Sequence, residues 1–407
     1  MKIVLLGAGL QGIATALDLS WNKNIQEVVI ADYDLARAEY VSKLCNGKYG
    51  EKTRAVQLDA GDHAAMVACF KGADFVINEV NYYYNTKVMD ACLEAGVHYA
   101  DIGGLYVETI KQVEYDERFR AAGLLAIIGI GGTPGVTNVC ARWAADRLDT
   151  VEAVDVYCAC DDWSSSTKTF EVTYAIETIM DEFYMKPIQF IDGEYVEVAP
   201  RSGGQVVAYP GPIGEMYSYY IMHSEMGTIP KSFRDKGIRR CTFRIGFPEG
   251  IKEKLEFLHG LGFSSKEPVD VDGAGISPLR VLKRLMDLQP DDPDATINDC
   301  DIVKTVVTGT KDGKRVEYAL DMVCRTVREW PELLGAQVYI GGAPAWAVEL
   351  FRRGEISERG ALGPECCIPP EPFFEEAAKR EMYVMSTKRE LLGGGDWDAA
   401  MQKTRLD

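Results

Sequence analysis

Positive charge, histidine and long apolar runs are what this chain is short of. Its 44 lysines and arginines face 62 aspartates and glutamates, a net charge of −18, which argues against a nonspecific hold on nucleic acid phosphates or an anionic membrane. A local basic pocket for a small anion stays open. No apolar stretch reaches the roughly 18 residues that a membrane helix needs, and the opening run Ile3-Val4-Leu5-Leu6 meets Gly7 too early for a secretory core. A cytoplasmic protein without a membrane or nucleic acid partner is the expectation. The four histidines, His63, His98, His223 and His259, never fall at H-x-x-x-H spacing, and cysteines such as Cys158, Cys160, Cys366 and Cys367 form no C-x-x-C knuckle. No metal is expected, and the thiols should be reduced and buried.

What is present is a globular composition, 47% hydrophobic and 26% charged over 407 residues, long enough for two to three domains at ~150 residues each. Through residue 130, short β-rich runs alternate with amphipathic stretches. Strands are expected at Lys2 to Leu6, Glu27 to Ala31, Thr53 to Leu58, Phe75 to Asn78, His98 to Asp101 and Leu124 to Gly129, and helices at Leu35 to Leu44 and Asn85 to Ala95. The alternation is that of an α/β, doubly wound parallel sheet, the Rossmann arrangement. Its first turn reads Gly7-Ala8-Gly9-Leu10-Gln11-Gly12. In this G-x-G-x-x-G the first glycine permits a tight turn, the second lets backbone amides approach a pyrophosphate, and the third lets helix meet strand. Asp32 ends the second strand, where a carboxylate binds a ribose 2′-hydroxyl and repels a 2′-phosphate. NAD is therefore favoured over NADP, with Arg37 one turn later as a counter-indication. Asp59 is a candidate for the adenine amino group, or else a helix cap.

Ligands of open sheets lie beyond the carboxyl ends of the strands. Those ends carry Asn78-Glu79 with Tyr82, then Asp101 with Gly103-Gly104, then Gly131 through Gly135 with Asn138. From Val151 onward the pattern changes to isolated strands at Val154 to Cys160, Tyr195 to Val198, Thr242 to Ile245, Val303 to Thr310 and Arg315 to Met322. The last two flank Asp312-Gly313, a hairpin signal. Helical patterns at Glu171 to Tyr184, Gly250 to Leu261, Pro278 to Met286 and Ala345 to Arg353 would cover an antiparallel sheet. A loosely held tail is expected after Lys388.

The chain resembles the saccharopine dehydrogenase family, in the reductase-type branch that includes lysine 6-dehydrogenase and carboxynorspermidine dehydrogenase. The fingerprint carries the resemblance, together with Ala91 through Asp101 running into Gly103-Gly104 and with Gly132-Thr133-Pro134-Gly135-Val136-Thr137-Asn138. It continues through His223-Ser224-Glu225, Arg240 to Arg244, and Gly342-Ala343-Pro344-Ala345. The resemblance implies a Rossmann domain over residues 1–133, an inserted α+β substrate and dimerisation domain with a mostly antiparallel sheet over 134–337, and a C-terminal helical segment over 338–407 that returns to the first domain. A homodimer is implied as well.

Family chemistry is hydride transfer between nicotinamide and a carbon bearing nitrogen. An alkylamine has a pKa near 10.4, so the site must take a proton and hold a cationic imine. Asp101 is the first candidate for that work, followed by Glu79 and His223, whose imidazole titrates near neutrality. Each has a structural alternative. For the cofactor, Gly7, Gly9, Leu10, Gln11, Gly12, Asp32, Asp59, Asn78, Pro134 and Asn138 are the candidates. For substrate they are Tyr82, Gly103, Arg240, Thr242 and Arg244, the two arginines sharing a strand face as a dicarboxylate clamp. Cys140 as a nucleophile has no base beside it. The leading reading is an NAD-dependent oxidoreductase of the saccharopine dehydrogenase or lysine 6-dehydrogenase type. The alternatives are a carboxynorspermidine-type polyamine dehydrogenase and a non-catalytic NAD-binding sensor.

Overall fold

The computed structural model describes residues 1–165, 168–290, 295–392 and 396–404. The first third runs β1 (Lys2–Leu6), α1 (Leu10–Trp21), β2 (Glu27–Asp32), α2 (Leu35–Tyr49), β3 (Thr53–Gln57), α3 (His63–Phe70), β4 (Phe75–Asn78), α4 (Asn85–Ala95), β5 (His98–Asp101), α5 (Tyr106–Val113), α6 (Asp116–Ala121) and β6 (Leu125–Ile127). Nearly every residue of β1, β2 and β4 is buried, as continuous apolar strands covered on both faces require. With β17 (Gly360–Leu362) from late in the chain, the strands form a seven-stranded sheet in the order β17-β6-β5-β4-β1-β2-β3, with every pairing parallel. The strand order reverses between β1 and β4. That is the position where a doubly wound sheet opens a crevice at its carboxyl edge.

The chain then leaves through α7 (Val136–Ala145) to β7 (Thr150–Asp162), α8 (Ile176–Tyr184), β8 (Ile188–Ile191), β9 (Glu194–Glu197), β10 (Gln205–Ala208), β11 (Glu215–Tyr220), α9 (Glu225–Ser232) and β12 (Arg240–Gly246). A small unit of α10 (Glu249–Gly260), β13 (Val269–Val271), β14 (Ala274–Ile276) and α11 (Pro278–Asp287) follows, then β15 (Asp299–Lys311) and β16 (Lys314–Cys324). The second sheet, completed by β18 (Val384–Glu390), has nine strands in the path β10-β11-β12-β7-β15-β16-β18, with β8 and β9 beside β12. Only β12 and β7 pair in parallel within it, so the mostly antiparallel expectation holds. The β15–β16 hairpin turns at Asp312 and Gly313, both at positive φ, as a two-residue primed turn demands.

The last part corrects two readings. The expected helix at Ala345 to Arg353 is α12 (Gly335–Arg352), which begins ten residues earlier, nearly three turns. Gly341-Gly342 and Pro344 look like helix breakers in sequence, yet packing overrides propensity here because Gly341 lets the backbone lie against α1. Nor is the C-terminal segment wholly helical. β17 (Gly360–Leu362) becomes the seventh strand of the parallel sheet, and after α13 (Pro364–Cys367) and α14 (Pro370–Ala378), β18 (Val384–Glu390) pairs with β16. Lys388 to Glu390 are thus held in a sheet; α15 (Trp397–Thr404) follows, and residues 393–395 and 405–407 of the tail lie outside the described residues.

One apolar core joins the two sheets. Leu17 of α1, Val139 of α7, Val156 of β7 and Trp346 of α12 belong to a single buried cluster. Inside it lies a buried ion triad. Arg380 bonds Asp18 of α1 at 2.5 and 2.9 Å and Glu376 of α14 at 2.8 Å, while Trp346 donates to Asp18 at 3.1 Å. These side chains are at most 3% exposed. Removing the cation would strand Asp18 in the core, while Glu376 would keep Arg353 and Lys379. Arg380→Ala should therefore lower unfolding stability by ~3–5 kcal/mol, measured by urea denaturation; a loss below ~1 kcal/mol would mean that water reaches the triad.

Candidate active site

The glycine turn between β1 and α1 is shaped for close approach. Gly7 has φ +112°, and a Cβ there would stand 2.8 Å from the Glu79 carbonyl carbon; at Gly12 it would fall 2.1 Å from the Gly7 oxygen. At Gly9 a Cβ would meet nothing within 4 Å, so the backbone faces open space. The α1 N-terminus, capped by no side chain, aims its first amides there, as an anion requires. Gln11 is 9% exposed, and neither atom of its amide has a partner. Asp32 braces the turn from β2, accepting from the Ala8 amide at 2.6 Å and the Asp34 amide at 2.8 Å. An open glycine, free helix amides and an orphaned buried amide fit a dinucleotide pyrophosphate. Gly7, Gly9, Leu10, Gln11 and Gly12 would hold it, Asp32 would meet the neighbouring ribose, and Arg37 of α2 lines the same cleft.

From this turn the cleft, about 480 Å³, runs between the two sheets. Tyr82, Gly103, Gly104, Thr133 and Pro134 form one wall. A Cβ at Gly103 would strike Pro134 at 2.5 Å, and one at Gly104 would strike Tyr82 at 2.5 Å, so both glycines are needed for the wall to close. The Tyr82 hydroxyl bonds Asp181, and Lys266 bonds the same carboxylate at 2.6 Å.

The floor of the cleft is acidic. Glu182 of α8 accepts from Tyr174 at 2.6 Å and lies 4.0 Å from His223. On its other side His223 is tightly bonded to Glu225, and its ring stacks on Phe243 with centroids 3.7 Å apart. Asp301 of β15 accepts from Tyr339 of α12 at 3.2 Å, and its other oxygen has no partner. Burial pushes the Glu182 carboxyl up to about 7, against the opposing pull of His223. Burial, reinforced by Asp299, pushes Asp301 up to about 8. Burial disfavours the His223 imidazolium, but Glu225 and Glu182 outweigh it and raise the pKa of the ring. The arrangement is a set of buried acids and one imidazole, able to receive a cation and to exchange protons with it.

Comparison with known proteins identifies the relatives of this arrangement. The saccharopine dehydrogenase NADP binding domain matches residues 3–127, and the saccharopine dehydrogenase C-terminal domain matches residues 131–382. The chain belongs to the saccharopine dehydrogenase family. Within reach of this family member are the carboxyaminopropylagmatine dehydrogenase of Synechocystis sp., 26% identical over 92% of this chain and 94% of that protein, and the carboxynorspermidine synthase of Vibrio cholerae, 27% identical over the same shares. The structure of apo saccharopine dehydrogenase (L-Glu forming) from Saccharomyces cerevisiae superposes with a TM-score of 0.69 at 15% identity, covering 95% of this chain and 99% of that one. It establishes the shared fold.

In this saccharopine dehydrogenase family chain, several candidates read from sequence are placed elsewhere than expected. Asp101 is 1% exposed and saturated: it accepts from the Gly103 amide at 2.7 Å, the Gly129 amide at 2.9 Å and Gln112 at 2.6 Å. It ties strand ends together and does not face the cleft. Asn138 is fully buried, its amide spent on Glu365 at 2.8 Å and the Gly135 amide at 3.1 Å. Asp59 is exposed and caps the turn at Gly61. Asn78 donates to Asn85 at 2.9 Å from within the core. Arg240 and Arg244 do share a strand face, but that face is turned away from the cleft. Ile245, paired with Cys158, points into the cleft, whereas Arg244 reaches Gly203, Thr242 and Tyr220, and Arg240 and Thr242 both bond Asp155. The dicarboxylate clamp is corrected accordingly. Cys140 is buried, and burial raises its thiol pKa.

Glu182, Glu225 and Asp301 escaped the sequence reading, though each left a signal. Glu182 shares the apolar helix face of Ile179 and Phe183, and Asp301 has the parity of the buried Val303 and Val307 in its strand. An acid at a core position is costly unless used. The expected helix from Glu171 also begins later, at Ile176, which leaves 171–175 as cleft wall.

Asp101→Asn should lower stability by ~1–3 kcal/mol, because an amide nitrogen would confront backbone N–H groups, while the dissociation constant of NADH stays within about twofold. Thermal melts and fluorescence titration test this together. A large loss of turnover at unchanged stability would return Asp101 to the chemistry.

Proposed function

We propose that this protein is a nicotinamide-dependent oxidoreductase acting on the C–N bond of a carboxylated polyamine, the carboxynorspermidine type of reaction. The carrying observation is the acid floor, where Glu182 and Asp301 are buried in the cleft, while the lysines and arginines among the described cleft residues are Arg37 at the nucleotide end and Lys168 and Lys283, which pair with Glu171 and Glu177. A substrate with three carboxylates, such as saccharopine, would bring negative charge onto these acids, and Arg240 and Arg244 are not there to receive it. A polyamine brings ammonium groups. The names of the two relatives matched over 92% of the chain point the same way. Lysine 6-dehydrogenase chemistry has less support, since lysine offers only one ammonium besides the amine that reacts.

A bound nicotinamide would accept or deliver hydride at the carbon next to nitrogen. The chain's own residues hold the substrate cation against Glu182 and Asp301, exclude water with the Tyr82 and Pro134 wall, and pass the amine proton toward His223, which Glu225 stabilises when charged. For the cofactor, Asp32 favours a free ribose hydroxyl, whereas Arg37 offers a partner for a 2′-phosphate. Asp32→Ala should raise NADP use relative to NAD, and Arg37→Ala should do the reverse.

The test is to offer carboxynorspermidine, saccharopine and lysine separately with NAD or NADP and follow reduced nicotinamide by absorbance. Turnover with carboxynorspermidine should exceed the others; preference for saccharopine would sink the proposal, and cofactor binding without any turnover would favour a sensor. Glu182→Gln and Asp301→Asn should each raise KM about 10- to 100-fold, the ~1.5–3 kcal/mol of a charged hydrogen bond. Because both acids are neutral below their raised pKa values, kcat/KM at saturating cofactor should climb from about pH 6 and level off past about 8. Glu182→Gln should flatten the lower part of that rise.

A further inference from the structure

Glu79 leaves β4 at the switch point, pressed under the glycine turn. Its amide donates to the Leu6 carbonyl at 2.7 Å, and its Oε2 lies 3.6 Å from where a Gly12 Cβ would stand. Its carboxyl is buried against α1 and α12, with Oε1 2.5 Å from the hydroxyl of Thr15. That hydroxyl also lies 2.7 Å from the Gly341 carbonyl of α12 and 3.3 Å from the Gln11 carbonyl. Thr15 has one hydrogen, and a carbonyl has none to give. If Thr15 donates to Glu79, then the Gly341 oxygen is left against a bare oxygen at 2.7 Å. Both short contacts become hydrogen bonds in one assignment, with Glu79 donating to Thr15 and Thr15 donating to Gly341.

We propose that Glu79 is held as a neutral carboxylic acid, a positioning residue that donates its proton through Thr15 to α12, and that loss of this proton weakens dinucleotide binding. The proposal rests on the nicotinamide cradle and not on the identity of the amine substrate. A carboxylate in this place would set a negative charge beneath the turn that holds a pyrophosphate, in a region where water screens it poorly. The groups facing it from neighbouring elements are Gln11 and Thr15 on α1, the glycine turn, and the Gly341 backbone on α12. None of them carries a charge. Asp18, further along α1, is neutralised by Arg380, and Tyr339 on α12 is turned to Asp301. Burial pushes the Glu79 carboxyl up to about 8, with Thr15 opposing. Its Oε2, without a partner, is left facing the cleft as an uncharged acceptor.

The test is the dissociation constant of NADH, with NADPH in parallel, for the full chain by fluorescence between about pH 6 and 9.5, together with proton uptake by calorimetry in two buffers. For the wild type, affinity should be flat to about pH 8 and then fall by up to ~10-fold per pH unit, with up to about one proton taken up on binding near pH 9. Glu79→Gln, which keeps a neutral donor, should bind within about threefold of wild type at pH 7 and show neither the fall nor the uptake. A flat wild-type profile without proton uptake overturns the proposal even if the variant fails to fold. So does a variant that loses ~10-fold or more affinity at pH 7, or one that follows the wild-type fall. Absence of binding at every pH removes the cradle reading as well, whereas pH-independent binding removes Glu79's role alone.

Discussion

The close approach of α12 to α1 is the constraint on which the rest depends. At Gly341 a Cβ would lie 2.7 Å from the Gln11 carbonyl and 2.9 Å from the Thr15 hydroxyl, so only glycine lets the two backbones come so near. That contact fixes the second sheet against the dinucleotide edge of the first. It is locked from behind by the Asp18–Arg380–Glu376 triad, in which the cation comes from 362 residues beyond its first partner. Once α12 is placed, Tyr339 reaches Asp301 and passes Gly132 so closely that a Cβ there would fall 1.9 Å away. The cleft is the space left over between elements that glycine allows to touch.

Electrostatics then divides that space. At the nucleotide end the positive ends of backbone dipoles are exposed, Glu79 is buried without a compensating charge, and Arg37 stands on the helix that follows Asp32. At the other end, Glu182 and Glu225 flank a single imidazole, and Asp301 lies on the same cleft floor. Burial in a poorly solvated pocket raises the Glu182 and Asp301 carboxyls, which favours their protonated forms until a cation arrives. The overall charge of −18 is a solubility property spread over the surface; the acids in the cleft are a separate matter, because burial makes each of them responsive to its ligand.

The alternation of strands and helices, the parallel sheet and the glycine turn were legible in the chain itself. So was the Asp312-Gly313 hairpin. These features are local: side-chain period, turn chemistry and the φ of a glycine are properties of neighbouring residues. What the linear pattern misjudged were residues whose role depends on distant partners. Asp101 and Asn138 stand at strand and helix ends where catalytic groups gather, yet Gln112 and Glu365 claim them. Arg240 and Arg244 share a face as their spacing requires, but spacing does not say which face of the sheet meets the cleft.

Sequence by itself therefore determined an α/β parallel sheet with a dinucleotide turn followed by a second, mostly antiparallel sheet, since periodicity and glycine conformation act within a few residues. Only the tertiary structure decided which acids gather in the cleft. Glu182, His223 and Asp301 come from three separate elements, and what matters about them, burial, a shared imidazole and an oxygen without a partner, exists only when the sheets are packed together. A carboxylate's charge is set by the solvent and charges around it, and those are not written next to it in the chain.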